Sequence, residues 1–121
     1  MTLERSYVDY LEDILDAIEK VSQFVEGMTY ERFMADSKTE FAVIRALEII
    51  GKATKHLPQS FRDSYREIAW REMSGMRDKL THEYFGVNLL VLWKTCLDDL
   101  PRLEPMIRDI LTEMKDRSHE A

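Results

Sequence analysis

Ser37-Lys38-Thr39-Glu40-Phe41-Ala42-Val43-Ile44-Arg45-Ala46-Leu47-Glu48-Ile49-Ile50-Gly51-Lys52-Ala53-Thr54-Lys55-His56 decides the architecture of this chain. Ser37 and Glu40 stand three apart, the spacing of a capping box that satisfies the first free amides of a helix. The pattern predicts a helix from about Lys38 to His56, which Pro58 prevents from continuing. Phe41, Val43, Ile44, Ala46, Leu47, Ile49, Ile50 and Ala53 cover most of its circumference, so it is expected to be the central, most buried helix. The polar remainder is Arg45, Glu48, Lys52 and Lys55. Arg45 and Lys52 lie seven apart and therefore share a face.

Towards the N-terminus, Val8, Leu11, Leu15, Ile18 and Val21 form an apolar stripe at helical spacing, predicting a helix over Leu3 to Phe24. Thr2 is the expected N-cap, and Glu4 suits the positive end of the helix dipole. Gly27 closes that helix, and Thr29 is expected to cap a short one through Phe33. Towards the C-terminus, a short helix is expected over Gln59 to Ile68, then a longer one from about Trp70 to Phe85 that stops at Gly86. Asn88 can cap the last element, with Val87 packed on Leu92 as a staple. Pro101 and Pro105 predict a break or kink near Asp98 to Arg102. The sum is an all-α antiparallel bundle of four main helices plus short ones, with residues 1–121 forming one domain.

The composition agrees, with 45% hydrophobic and 33% charged residues and only 4 Gly and 3 Pro. The longest apolar run, Leu89 to Trp93, is far too short to span a bilayer, and no signal-peptide pattern opens the chain. The lone Cys96 excludes an intramolecular disulfide and a cysteine-based metal cage. These features lead us to expect a cytoplasmic protein without a membrane partner, metal or cofactor. The net charge is −6. Acidic residues outnumber basic ones over residues 1–40 and 88–121, and only residues 41–87 are net positive. That distribution hints at an anionic ligand on one face, although chance variation around a mixed surface gives the same pattern.

The net-positive segment contains Arg77-Asp78-Lys79-Leu80-Thr81-His82-Glu83-Tyr84. Arginine can hold a phosphate and histidine can move a proton, the two groups needed to cleave a phosphodiester without metal. On an ideal helix each residue turns about 100°, so Asp78 and His82, four apart, share a face. Asp78 can then orient the imidazole through one ring nitrogen. Arg77 and Tyr84, seven apart, share another face. Arg77 and His82 are separated by about 140° around the helix, so one helix presents them poorly to a single phosphate. Either the helix is distorted before Gly86, or a two-fold axis brings two copies together, with Gly75 permitting close approach. Each residue also has a plain structural role: Asp78 with its neighbours as a solvated pair, His82 against the helix dipole, Tyr84 and Phe85 as core packing.

Met76-Arg77-Asp78-Lys79-Leu80-Thr81-His82-Glu83-Tyr84-Phe85 resembles the signature of HEPN-domain proteins, specifically the HepT-like (DUF86) toxins: Arg, four residues, His, one residue, Tyr, with a polar residue after the Arg. Arg45 to Ala53 resembles the family's central helix, and Asp98-Asp99-Leu100-Pro101 its C-terminal helix junction. The resemblance implies a metal-independent ribonuclease acting as a homodimer, with both Arg–His pairs in one cleft. It also implies a small MNT-type nucleotidyltransferase antitoxin that attaches AMP to the motif tyrosine, here Tyr84. Lys52 stands where relatives often have Glu, and Ala69 where a Pro often precedes the Trp.

The expected reaction is attack of a ribose 2′-hydroxyl on the adjacent phosphate, giving a 2′,3′-cyclic phosphate and a 5′-hydroxyl. DNA, which lacks the 2′-hydroxyl, is expected to survive. His82 serves as general base or acid, Arg77 stabilises charge on the phosphorane, and Asp78 orients His82. Arg45, Lys52 and Lys79 are candidate contacts for RNA phosphates. Two readings of other classes stay open: a non-catalytic helical dimer that binds nucleotides or scaffolds a nucleotidyltransferase, and a purely structural bundle.

Overall fold

The computed structural model describes residues 6–75 and 88–120. Every regular element in them is helical. Helix α1 (Tyr7–Val25) begins at Ser6, whose hydroxyl accepts from the Asp9 amide at 3.3 Å while the Asp9 carboxylate accepts from the Ser6 amide at 3.0 Å. This reciprocal box caps the helix and satisfies two free amides at once; the expected Thr2 cap lies outside the described residues. Gly27 follows in the left-handed region at φ 73°, the conformation its missing Cβ permits. Thr29 caps α2 (Tyr30–Met34), accepting from the Arg32 amide at 3.2 Å.

Helix α3 (Ser37–Lys55) is capped one residue earlier than expected. The Asp36 carboxylate accepts from the Thr39 amide at 3.0 Å, so Ser37 is the first helical residue and not the cap. That hydrogen bond holds the Asp36 carboxyl below the usual carboxylate range. At the other end Arg62, from α4 (Gln59–Asp63), donates through Nη2 to the Thr54 carbonyl at 2.7 Å and through Nε to the Leu57 carbonyl at 2.9 Å. One guanidinium thus ties together two carbonyls at and just beyond the end of α3, adding a second donor to the Thr54 carbonyl, which already accepts from the Leu57 amide at 3.0 Å.

The helix expected to reach Ile68 stops at Asp63. The Tyr65 carbonyl instead takes the Ile68 amide at 3.2 Å and the Trp70 indole N–H at 3.0 Å, which folds residues 64–69 into a turn. Helical backbone resumes over residues 70–75, the start of the expected Trp70–Phe85 helix, whose remainder lies outside the described residues.

Asn88 caps α5 (Leu89–Lys94), accepting from the Leu90 and Val91 amides at 3.0 and 3.2 Å. The expected Val87 staple lies outside the described residues. No break occurs at Pro101 or Pro105. A π-helical turn (Thr95–Asp99) joins α5 directly to α6 (Leu100–Glu120), with the Leu100 amide donating to the Thr95 carbonyl. Proline removes an amide and crowds the carbonyl four residues back. The wider turn shifts the hydrogen-bond register just ahead of Pro101, and the helical backbone continues.

Helix α1 contacts both α3 and α6 and is the central element among the described residues, a place the sequence assigned to α3. It runs antiparallel to each. Tyr10 near its start meets His56 at the end of α3, and Glu12 and Glu19 pair with Lys115 and Arg108 of α6 at 3.0 and 2.9 Å. Leu11, Ile14, Ile18 and Val21 of α1 close the core with Val43, Leu47 and Ile50 of α3 and with Ile107 and Ile110 of α6. Phe33 of α2 packs on Trp93 of α5 with ring centroids 5.1 Å apart. Phe41, counted with the apolar wrap of α3, is 73% exposed. A Cβ at Gly75 would meet nothing within 4 Å, so no close helix approach occurs there within the described residues. Among them, no helix is long and apolar enough to cross a membrane.

Candidate functional site

Arg77, Asp78, Lys79, His82 and Tyr84 lie outside the described residues. Of the residues expected to touch RNA, Arg45 and Lys52 are described. Both are exposed on α3, and both open onto a cleft of about 520 Å³ between α1 and α3. The helical repeat explains their alliance. Positions 45, 49, 52 and 56 advance by four, three and four residues, which keeps them on one stripe. Ile49 and Ala53 therefore lie among the cations and line the cleft with them, and His56 ends the stripe.

The opposite wall comes from α1. Tyr10, Asp13 and Asp16 are again three apart and face α3 together. The antiparallel packing of α1 on α3 sets Tyr10 against His56. Their rings stack with centroids 4.7 Å apart and planes within 5°. Tyr10 is half-buried and packs against the core, whereas His56 is exposed. The imidazole thus has one face on an anchored phenol ring and keeps accessible surface beyond it.

Charges in the cleft are partly compensated. Asp16 pairs with Lys20 at 2.8 Å, and Arg45 Nη1 reaches Glu48 Oε2 at 3.4 Å. Both pairs are exposed, so each is worth little and yields readily to a competing ligand. The result is a groove with cations along α3, carboxylates along α1 and an aromatic pair at one end. Such a surface can hold a phosphate backbone on its α3 side and a flat ring on its aromatic end.

Two other cavities are less suited to this. One, of about 700 Å³, has Arg62, Arg66 and Arg71 on its lining, but Arg62 is engaged in capping α3 and Asp63, Glu67 and Glu72 lie among them. The other, of about 330 Å³, is an apolar recess of Met73, Leu100, Leu103 and Met106 with a charged rim. Cys96 is buried, and desolvation pushes its thiol up to about 12, so it is no nucleophile at neutral pH. Among the described residues no group of three or more His, Cys, Asp or Glu is arranged to hold a metal ion.

Of the residues that line this cleft, sequence reasoning had singled out Arg45 and Lys52 but not His56, Tyr10, Asp13 or Asp16. His56 was within reach, since it lies four residues beyond Lys52 on the same stripe. Tyr10 was not, because its pairing depends on how α1 registers against α3.

Comparison with known proteins gives an independent result. Residues 14–110 match the family described as Ribonuclease HepT-like. A protein of Thermococcus cleftensis named probable ribonuclease HepT is 55% identical over 84% of this chain and 93% of its own length. A protein of Caldanaerobacter subterraneus subsp. tengcongensis, named as an RNase, is 45% identical over 88% of this chain and 95% of its own. One from Methanocaldococcus jannaschii, also named as an RNase, is 36% identical over 94% and 98%. No solved structure matches.

Proposed function

The chain belongs to the HepT-like ribonuclease family, and from that premise we propose that it is a metal-independent endoribonuclease acting as a homodimer. The observation that carries this reading is the Arg77-x4-His82-x-Tyr84 spacing inside the matched region. On an ideal helix that spacing would separate Arg77 from His82 by about 140°, which favours a cleft completed by the second chain.

In the proposed reaction the ribose 2′-oxygen attacks the adjacent phosphorus while the bond from phosphorus to the 5′-oxygen breaks. One imidazole takes the 2′-hydroxyl proton. A protonated imidazole, supplied by the second subunit's copy of His82, gives a proton to the leaving 5′-oxygen. No water is consumed, and the products are a 2′,3′-cyclic phosphate and a 5′-hydroxyl. Arg77 offers positive charge where the phosphorane gathers negative charge, and Asp78 orients the ring. Arg45, Lys52 and Lys79 supply further cations for the RNA backbone.

The same reading extends to control. In a toxin–antitoxin pair, an MNT-type nucleotidyltransferase would modify Tyr84. Its phenolic oxygen attacks the α-phosphorus of ATP, pyrophosphate leaves and the phenolic proton is lost to solvent. The AMP phosphate would then compete with RNA for Arg77, which an ideal helix would set on the same face as Tyr84.

Digestion of RNA in EDTA tests the nuclease. Wild type is expected to leave cyclic-phosphate ends and to spare DNA, and His82→Ala is expected to lose roughly 10²–10⁴-fold in rate. Cleavage by both His82→Ala and Arg77→Ala at the wild-type rate would sink the mechanism. Binding of RNA without any cleavage would turn the reading to a non-catalytic nucleotide-binding dimer.

A further inference from the structure

We propose that the cleft between α1 and α3 is a base-stacking subsite for single-stranded RNA, with His56 as the platform and Arg45 and Lys52 as phosphate contacts. The proposal rests on the ribonuclease reading and adds to it where the substrate strand lies.

The stacked pair is the first support. A ring held parallel to its neighbour at 4.7 Å with planes within 5° is already oriented for a third ring. Tyr10 ties that pair to the core, so little entropy is lost when a base is added. Every base has a π-face, so a histidine platform accepts any sequence. Duplex RNA keeps its bases inside the helix and offers none to such a platform.

The second support is the order of groups along α3. Arg45 and His56 are eleven residues apart with Lys52 between them, roughly 16 Å along the helix. That is room for a backbone to follow the cations and turn one base onto the imidazole. Asp13 and Asp16 on the facing wall disfavour phosphate there, which leaves the α3 side as the path for the backbone. The same carboxylates explain why the cleft would hold a strand in one lane and not across its width.

The test uses the full chain carrying His82→Ala, so that RNA survives, with a fluorescein-labelled single-stranded oligoadenylate read by anisotropy. His56→Ala is expected to weaken binding roughly fivefold or more, and His56→Tyr to restore most of the loss. Duplex RNA should be indifferent to both changes. Arg45→Ala and Lys52→Ala should each flatten the dependence of log affinity on log salt by roughly 0.7. Unchanged binding in His56→Ala overturns the proposal, and so does failure of His56→Tyr to restore it in a protein that melts like its parent. Should His56→Ala not fold, the exposed Arg45→Ala and Lys52→Ala decide, and unaltered salt slopes reject the subsite. Wild-type protein that cuts RNA with a KM untouched by these changes loses the subsite alone. Wild-type protein that neither binds nor cuts RNA loses the ribonuclease reading as well.

Discussion

Asp36 and Ser37 compete to cap the same helix, and the carboxylate wins. A charged acceptor at the positive end of the helix makes a stronger hydrogen bond than a hydroxyl, and Thr39 offers its amide to Asp36. The ionised form accepts this hydrogen bond more strongly than the neutral acid, which is why the carboxyl sits below its usual range. Its contribution to stability is therefore present above the unfolded carboxylate pKa and fades as pH falls through the lower folded value. Chemistry at single residues follows the same logic of environment. Buried Cys96 is silent at neutral pH. Tyr84 is expected to be the modified residue: incubation with ATP and an MNT-type nucleotidyltransferase should raise the intact mass by one AMP unit. An increase that persists in Tyr84→Phe, or no increase in wild type, would count against that role.

At the scale of elements, the ends of helices were harder to read than their middles. Most of the apolar stripes of α1 and α3 follows from spacing, because burying one face is the main thing a helix gains from a fold, although Phe41 is exposed and Ile14 and Ala17 join the core. Their ends depend on side chains from outside the helix. Arg62 is the clearest case, since nothing in the local sequence announces that it will close α3 from α4. Arg62→Ala leaves the Thr54 and Leu57 carbonyls without that donor and is expected to cost roughly 1.5–3 kcal/mol. Hydrogen exchange should show the loss first as faster opening of the last turn of α3, with uniform destabilisation arguing against a local role. The two prolines teach a complementary lesson. They signalled a disturbance at the right place, and the chain met it with a π-helical turn in place of a break.

Across the whole molecule, apolar packing and surface charge contribute unequally to the join between α1 and α6. Ile107 is fully buried in the core, whereas Arg108 beside it bridges Glu19 and Glu104 from an exposed position. Ile107→Ala is expected to cost about 2–5 kcal/mol, through lost transfer energy and the cavity left behind. Arg108→Ala should lower the melting temperature by only a small fraction of that effect, since exposed pairs are screened and entropically costly. Comparable losses for the two variants would show that the charge network holds the helices together.

Helical class, the buried stripes, the Asn88 cap and the stop at Gly27 were decided by the sequence alone, because each depends on neighbours within a turn or two. The Arg77-x4-His82-x-Tyr84 spacing and the family it points to were legible in the same way. Tertiary structure alone decided that α1 is central among the described residues, that Arg62 closes α3, and that Tyr10 stacks on His56 across the cleft. Those pairings join residues far apart in the chain. Their distances are set by the register of one helix against another, which depends on how all the side chains of both faces pack at once.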